Sequence, residues 1–264
     1  MTAVRLIHFT DPHLYSSEAG QLRGIATYPS LANALAHARE HHWNSLSAVL
    51  VTGDIVQDDP GGYVHFHRLF GDLDRPVLCL PGNHDVPEAL RREISGPPFQ
   101  VGGWADFGAW RVVLLDSCVP GSASGALSAT ELALLDQSLA TAGGRHVLVC
   151  LHHHPIEMAS RWLDYVGLEN AAEFFKIIDG HRNVRAILWG HVHQNFDGLR
   201  KGVRLLATPS TCAQFLPGSD EFALDALPPA YRMLELRDNG SLLTDVIWMD
   251  EWAAASLQSG SSAA

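Results

Sequence analysis

The chain has 264 residues, 47% of them hydrophobic, and a formal net charge of −11 at pH 7. Such a chain can bury a substantial core, and none of its apolar runs approaches the roughly 20 residues that span a membrane. The acidic charge and the absence of a long Lys/Arg cluster argue against duplex nucleic acid as a partner, but they permit a small anion.

The termini and cysteines give further expectations. Residues 1–9 lack the charged start, long apolar stretch and cleavage site of a signal peptide, which predicts a cytoplasmic protein. We expect one domain over residues 1–252 and a flexible tail over residues 253–264, which are uncharged and mostly small. The four cysteines are widely spaced and mostly lie in apolar runs, so neither disulfides nor zinc knuckles are expected.

Apolar runs typical of strands buried on both faces alternate with helical patterns. The strand runs are 4–9, 48–52, 77–80, 146–151 and 186–189. Helices are predicted over 29–42, 128–142 and 169–178, and the second of these opens with the capping box Ser128-Ala129-Thr130-Glu131. Beyond residue 193, extended segments at 203–207, 231–236 and 243–248 predict a second, partly antiparallel region. The irregular stretch 212–230 is too long for a neutral connector and is expected to flank the active site.

A short cluster of potential metal ligands follows each of the five strand runs. In chain order the clusters are Asp11-Pro12-His13, Gly53-Asp54, Gly82-Asn83-His84-Asp85, His152-His153-His154 and Gly190-His191-Val192-His193. Ligands of open α/β sheets bind beyond the carboxyl ends of the strands, so these clusters are expected to converge. Carboxylates, an amide and imidazoles, without a thiolate, suit two divalent ions about 3.5–4 Å apart.

These motifs resemble those of the calcineurin-like metallophosphoesterases, and the match runs from Asp11 to His193. The resemblance implies an α/β fold, a four-layer α/β/β/α sandwich of two mixed sheets, holding two divalent metal ions. It assigns ligands by position: Asp11, His13 and His193 to one ion, Asn83, His152 and His191 to the other, and Asp54 to the bridge. Iron or manganese is expected at the centre, with zinc or cobalt as alternatives.

A finer resemblance is to the class III cyclic-nucleotide phosphodiesterases, and among them to those of bacteria that act on 3′,5′-cyclic AMP. Three stretches carry it: residues 151–155, residues 160–164, and residues 205–212 followed by Gln214 and Phe215. It implies hydrolysis of cyclic AMP to 5′-AMP by a hydroxide bridging the two metals. His84 is the candidate proton donor to the leaving oxygen, and the substrate is expected to contact His13, Asn83, His84 and His193.

The sequence departs from one branch of the family after Asp54. Protein Ser/Thr phosphatases have Gly-Asp-x-Val-Asp-Arg-Gly there, with a second Asp that orients the catalytic His and an Arg that holds phosphate. This chain reads Gly53-Asp54-Ile55-Val56-Gln57-Asp58-Asp59. The group that orients His84 is therefore open, and a phosphoprotein substrate is disfavoured.

Several residues have two interpretations. In the three-His run we favour His152 as the ligand, with His153 behind it or facing the substrate. Trp162, Tyr165 and Phe215 either stack an adenine or simply pack. Asp85 either holds its own loop or acts on the substrate, and Asp116 has a turn role by default.

The function also has alternatives. A related hydrolase of glycerophosphodiesters, nucleotide monoesters or pyrophosphates would use the same metal core, whereas a binding scaffold without catalysis would have lost some of the ligands. Because every expected ligand is present, the scaffold is disfavoured.

Overall fold

The computed structural model describes residues 3–249, and no helix in that range is long and apolar enough to cross a membrane. The predicted tail at 253–264 lies outside the described residues. The helices are α1 (Thr27–His41), α2 (Tyr63–Phe70), α3 (Pro87–Glu93), α4 (Ala129–Ala140), α5 (Arg161–Asp164) and α6 (Ala171–Gly180). The first seven strands are β1 (Val4–Phe9), β2 (Gln21–Leu22), β3 (Ile25–Ala26), β4 (Ala48–Thr52), β5 (Val77–Leu80), β6 (Phe99–Val101) and β7 (Gly103–Phe107). The remaining seven are β8 (Trp110–Leu114), β9 (His146–Leu151), β10 (Val184–Trp189), β11 (Phe196–Arg200), β12 (Val203–Ala207), β13 (Ala230–Leu236) and β14 (Leu242–Trp248).

The larger strands form two six-stranded sheets, each with four adjacent parallel strands. The first has the order β14-β13-β1-β4-β5-β6, in which β1, β4, β5 and β6 are parallel, β13 pairs antiparallel with β1, and β14 pairs antiparallel with β13. The second has the order β11-β12-β10-β9-β8-β7, with antiparallel strands at both edges. β2 and β3 form a separate small hairpin sheet.

The two sheets pack face to face, and helices cover their outer faces. Alternation along β1 shows how: the side chain of Leu6 joins the cluster between the sheets, and that of Ile7 joins the cluster under α1 and α2. Leu148 and Val149 divide in the same way on β9, where the outer cluster includes residues of α4 and α6. Each fully buried aliphatic side chain contributes about 1.5–3 kcal/mol. The result is the expected four-layer α/β/β/α sandwich of two mixed sheets.

Strand register brings the carboxyl ends of the central strands to one edge of each sheet. In the first sheet Phe9 pairs with Val51, and Thr52 pairs with Leu80. In the second, Trp189 pairs with both Leu151 and Ala207. The predicted ligand clusters begin within a few residues of these ends.

The structure corrects two expectations. The strands after residue 193 do not form a region of their own: β11 and β12 extend the second sheet, and β13 and β14 extend the first beside β1. In the capping box, the Ser128 hydroxyl accepts from the backbone N–H of Glu131, but the Glu131 carboxylate accepts from the backbone N–H of Asp116. The Glu131 side chain therefore fixes the loop at the end of β8 and does not reach back to Ser128.

Candidate metal centre

The backbone bends sharply at the predicted ligands. Asp11, His13, Asp54, His191 and His193 all have left-handed φ angles, between 47° and 65°. Such angles cost about 1–3 kcal/mol each when residues other than glycine adopt them, and they persist where surrounding contacts impose them. Here the N–H of Asp11 donates to the Gly53 carbonyl, and that of His13 to the Asp54 carbonyl. These bonds tie the loop after β1 to the loop after β4.

Glycines at positions 53 and 82 let the loops approach one another closely. A Cβ atom on Gly53 would lie 2.6 Å from His152 Nδ1, and one on Gly82 would collide with the Asp54 carboxylate. At both positions a larger side chain would displace a predicted ligand.

Asp11, His13 and His193 form one compact group. His13 Nε2 lies 3.1 Å from His193 Nε2, and His193 Nε2 lies 3.3 Å from Asp11 Oδ1. All three residues are buried. Their donor atoms lie close enough together to hold one ion.

Asn83, His152 and His191 form a second group. His152 Nε2 lies 3.2 Å from Asn83 Oδ1 and 3.2 Å from His191 Nδ1. His153 also approaches this group, with a ligand atom within 4.8 Å of those of His152 and His191. Its Nδ1 atom contacts the Ser117 hydroxyl at 2.8 Å. The structure thus places His153 beside the site and allows either predicted interpretation of it.

Asp54 lies between the two groups. Its Oδ2 atom is 3.8 Å from His13 Nε2 and 3.4 Å from His152 Nε2, so one oxygen faces an imidazole of each group. Its other oxygen accepts the backbone N–H of His84 at 2.9 Å. This is the arrangement that a bridging carboxylate requires.

Hydrogen bonds fix the imidazole orientations of two of these residues. The Nδ1 atom of His152 donates to the Thr52 carbonyl at 2.8 Å, and that of His193 donates to the Ala213 carbonyl at 2.7 Å. Because Nδ1 carries the proton in each ring, the lone pair of the neutral imidazole is on Nε2 and faces the centre.

The donor set fits a pair of divalent ions. Burial lowers the pKa of His13 to about 4, and burial with neighbouring imidazoles holds the pKa of His191 well below its usual range. These rings are therefore neutral at pH 7, as a metal ligand must be. Burial opposes the charged form of His152 too, but the Asp54 carboxylate, together with Asp11 and the Thr52 carbonyl, outweighs burial and raises the pKa of His152 to about 9. A divalent ion bound there would displace that proton.

His84 lies at the open side of the centre, and its imidazole has a carboxylate partner. Its ring centroid is 5.4 Å from that of His13, and its Nδ1 atom lies 2.9 Å from Asp58 Oδ2 and 2.9 Å from Gln57 Nε2. The sequence alone left the partner of His84 open, although Asp58 lies in the 53–59 segment that departs from the phosphatase motif. Asp58 has a φ angle of 52°, and its carboxylate also accepts from the Gln57 amide.

Asp85 and Asp116 have structural contacts. The Asp85 carboxylate accepts from the backbone N–H groups of Ile55, Val56 and Gly82 and from the Tyr63 hydroxyl. These bonds support the interpretation that it holds its loop. Asp116 accepts from the N–H of Cys118, two residues on, and pairs with Arg91, as a turn residue does.

A cavity of about 240 Å³ opens beside the centre. Its floor includes His13, Asp54, Asn83, His84, His191 and His193. Its wall includes Trp162, Phe215 and Phe222, whose ring centroids lie 5.2–5.4 Å apart. Sequence reasoning missed Phe222, and it missed Arg23, whose guanidinium lies 4.7 Å from the Phe222 ring centroid. The 212–230 stretch thus does flank the site, whereas Tyr165 is 78% exposed and is not among the residues lining the cavity.

Residues 4–195 match the sequence profile of the calcineurin-like phosphoesterases. The chain belongs to this family. The family implies a dimetal centre, and the site of this phosphoesterase offers the donors for one.

Curated relatives match nearly the whole length of this phosphoesterase. The 3′,5′-cyclic adenosine monophosphate phosphodiesterase CpdA of Pseudomonas aeruginosa is 41% identical over 94% of this chain and 91% of that protein. The protein of the same name from Escherichia coli strain K12 is 38% identical over 92% of this chain and 89% of its own length. A 3′,5′-cyclic-nucleotide phosphodiesterase of Nostoc is 34% identical over 92% of this chain and 91% of that protein.

Solved structures agree on the fold. A dimetal phosphatase from Danio rerio has a TM-score of 0.62 at 15% identity and covers 92% of this chain and 99% of its own. GAP50 of Plasmodium has a TM-score of 0.65 at 12% identity and covers 94% of this chain and 85% of its own. At such identities the likeness concerns the fold alone.

Proposed function

We propose that this phosphoesterase hydrolyses 3′,5′-cyclic AMP to 5′-AMP with two divalent metal ions. The observation that carries the proposal is the position of Asp54 between two groups of metal donors, beside a cavity with an aromatic wall. Relatives named as cyclic AMP phosphodiesterases, up to 41% identical over 94% of the chain, support the substrate.

Asp11, His13 and His193 would hold one ion and Asn83, His152 and His191 the other, with Asp54 shared. When bound, the two ions supply an activated water as nucleophile and neutralise charge on the phosphoryl oxygens. The ligands come from loops of both sheets, which supports a single domain for the predicted range 1–252. With nitrogen and oxygen donors and no thiolate, iron or manganese fits the set, as do zinc and cobalt.

His84 would protonate the leaving 3′ oxygen. A secondary alkoxide is a poor leaving group, and a positioned acid contributes on the order of 10²–10⁴-fold to its departure. With Nδ1 bonded to Asp58, the Nε2 atom of His84 is the one left to meet the substrate. His13, Asn83, His84 and His193 all line the cavity and are proposed to surround the phosphate.

The adenine would occupy the aromatic part of the cavity. Phe215 stacks on His193 with ring centroids 4.0 Å apart and planes 6° from parallel, so the aromatic wall begins directly at the centre. Trp162 and Phe222 extend that wall outward. Flat aromatic faces bind a purine by stacking at little entropic cost. A glycerophosphodiester has no ring to use this wall.

A substrate panel tests the proposal. Enzyme loaded with manganese, iron or cobalt is assayed on cyclic AMP, cyclic GMP, glycerophosphocholine and 5′-AMP at equal concentrations. We expect the highest kcat/KM with cyclic AMP and no phosphate release from 5′-AMP. Brisk hydrolysis of glycerophosphocholine without turnover of cyclic AMP would contradict the proposal, and matching phosphate release from 5′-AMP would make the protein a phosphomonoesterase.

A further inference from the structure

A continuous line of buried hydrogen bonds runs from Arg232 of β13 to Asp11, which follows β1. Arg232 Nε lies 3.1 Å from the Thr208 hydroxyl, which lies 2.7 Å from His8 Nδ1. His8 Nε2 lies 2.7 Å from the Thr52 hydroxyl, which lies 2.9 Å from that of Thr10, and the Thr10 hydroxyl lies 2.6 Å from Asp11 Oδ2. All six side chains are at most 2% exposed. We call this line the Arg232–Asp11 chain.

The direction of every proton in the chain follows from its two ends. An ionised carboxylate only accepts, so the Thr10 O–H donates to Asp11. The single proton of Thr10 is then used, so Thr52 donates to Thr10, and His8 Nε2–H must donate to Thr52. At the other end a guanidinium only donates, so Thr208 accepts from Arg232 and can give its own proton to His8 Nδ1. With His8 neutral and its proton on Nε2, every donor in the Arg232–Asp11 chain has an acceptor and every acceptor has a donor.

The surroundings of His8 favour the neutral form. Burial and the nearby Arg232 guanidinium lower the pKa of His8 to about 3. An imidazolium would also oblige the Thr208 oxygen to accept from two neighbouring cations. The Arg232 cation is itself held by neutral groups: its other nitrogens donate to the Asn195 side chain, the Thr244 hydroxyl and the Ala207 carbonyl.

The chain ends on the oxygen of Asp11 that faces away from His193. Asp11 Oδ2 takes the Thr10 hydroxyl, whereas Asp11 Oδ1 lies 3.3 Å from His193 Nε2. The backbone N–H of His191 contacts both oxygens at 3.1 Å. The carboxylate is thus locked with one oxygen toward the centre. Hydrogen bonds in series polarise one another, so a cation at the far end strengthens the bond to Asp11.

From this geometry we infer that the Arg232–Asp11 chain, with His8 as a positioning residue at its middle, sets the orientation of Asp11 and thereby the affinity of the ion that Asp11 holds. The inference rests on the proposed role of Asp11 as a metal ligand. The chain also joins the two sheets, because His8 and Thr52 belong to β1 and β4 whereas Thr208 follows β12. It therefore adds a buried polar link between the two sheets that supply the ligands.

The first test reads the proton positions and needs neither metal nor substrate. In the metal-free protein at pH 7, ¹⁵N NMR of the imidazole nitrogens should show His8 neutral, protonated at Nε2 and bare at Nδ1. A His8 protonated at Nδ1, or at both nitrogens, would overturn the deduced direction of the chain. This outcome does not depend on whether the enzyme acts on cyclic AMP.

The second test interrupts the Arg232–Asp11 chain of hydrogen bonds at the Thr52 hydroxyl. Thr52→Val keeps the shape of the side chain but removes the donor to Thr10, and outer groups of this kind are typically worth about 10–100-fold in metal affinity. We expect a loss of at least about tenfold in manganese affinity by competition with a chelator. The matched control is Thr27→Val, a hydroxyl that is 1% exposed and outside the chain. Equal manganese affinities in Thr52→Val and Thr27→Val would contradict the inference.

A rescue separates positioning from packing. His8→Gln retains a donor and an acceptor, whereas His8→Leu retains neither. Manganese affinity should be close to that of the native protein in His8→Gln and reduced in His8→Leu. Equal losses of manganese affinity in His8→Gln and His8→Leu, with no loss in Thr52→Val, would mean that His8 acts only by filling space. The inference would then fail, whereas hydrolysis of cyclic AMP by the native enzyme would be unaffected by that result.

Discussion

The Nδ1 atom of His84 lies 2.9 Å from the Oδ2 atom of Asp58. In the protein phosphatase branch of the family, the orienting aspartate would stand where this chain has Gln57. Here the carboxylate comes one residue later, and Asp58 reaches His84 from a backbone with a φ angle of 52°. The pair thus gives His84 the acidic neighbour that a proton donor close to two cations needs.

Asp58→Asn removes that charge and keeps the size of the side chain. We expect kcat for cyclic AMP to fall, but by less than in a variant that lacks the His84 imidazole. His84 remains as the acid, and only its orientation is less well fixed. Metal content by elemental analysis should not change, since Asp58 is not a predicted ligand. A kcat equal to that of the native enzyme would show that this carboxylate does not support His84.

His84→Ala should lower the rate far more than it lowers metal content. The expected loss on cyclic AMP is on the order of 10²–10⁴-fold, the usual contribution of a general acid. With bis(p-nitrophenyl) phosphate the loss should be much smaller, because that leaving group hardly needs a proton. His67→Ala, an exposed histidine of α2, is the control. Equal losses on both substrates would argue against proton donation by His84.

Asp54→Ala should abolish hydrolysis and release metal, since this carboxylate is the one that faces both donor groups. The matched control is Asp116→Ala, which removes a turn carboxylate that pairs with Arg91. Elemental analysis should find two ions per chain in the control and fewer in Asp54→Ala. Two retained ions with intact activity in Asp54→Ala would rule out a bridging role.

Phe222→Ala should weaken binding of the base. Truncating an aromatic ring that stacks a base costs about 1–3 kcal/mol, so KM for cyclic AMP should rise about 5-fold to 150-fold. Turnover of bis(p-nitrophenyl) phosphate should hardly change. Leu227→Ala, an exposed residue of the same 212–230 stretch, serves as the control. Parallel changes on both substrates would place Phe222 outside the base site.

The predicted ligands could be found from sequence because they sit at the carboxyl ends of buried strands. Near-continuous apolar runs identified β1, β4, β5, β9 and β10, and short motifs after them carried the donors. The fold class followed from the resemblance that those motifs carry. The structure brings all seven predicted ligands together, while their roles as ligands stay a prediction.

Other features depend on contacts that are distant in sequence. Nothing local indicates that Met233 of β13 pairs with Ile7 of β1, and this pairing moves the C-terminal strands into the first sheet. The partner of His84 stayed open because the family motif has its orienting carboxylate at the position of Gln57, whereas this chain has one at Asp58. Phe222 was missed because it lies in an irregular stretch without periodicity.

Hydrolysis of cyclic AMP by the dimetal centre can be followed by ³¹P NMR of 3′,5′-cyclic AMP incubated with manganese-loaded enzyme. We expect the cyclic AMP signal to be replaced by that of 5′-AMP alone, no inorganic phosphate to appear, and a chelator to stop the conversion. Accumulation of 3′-AMP or phosphate, or an unchanged cyclic AMP signal with a fully loaded metal centre, would contradict this expectation.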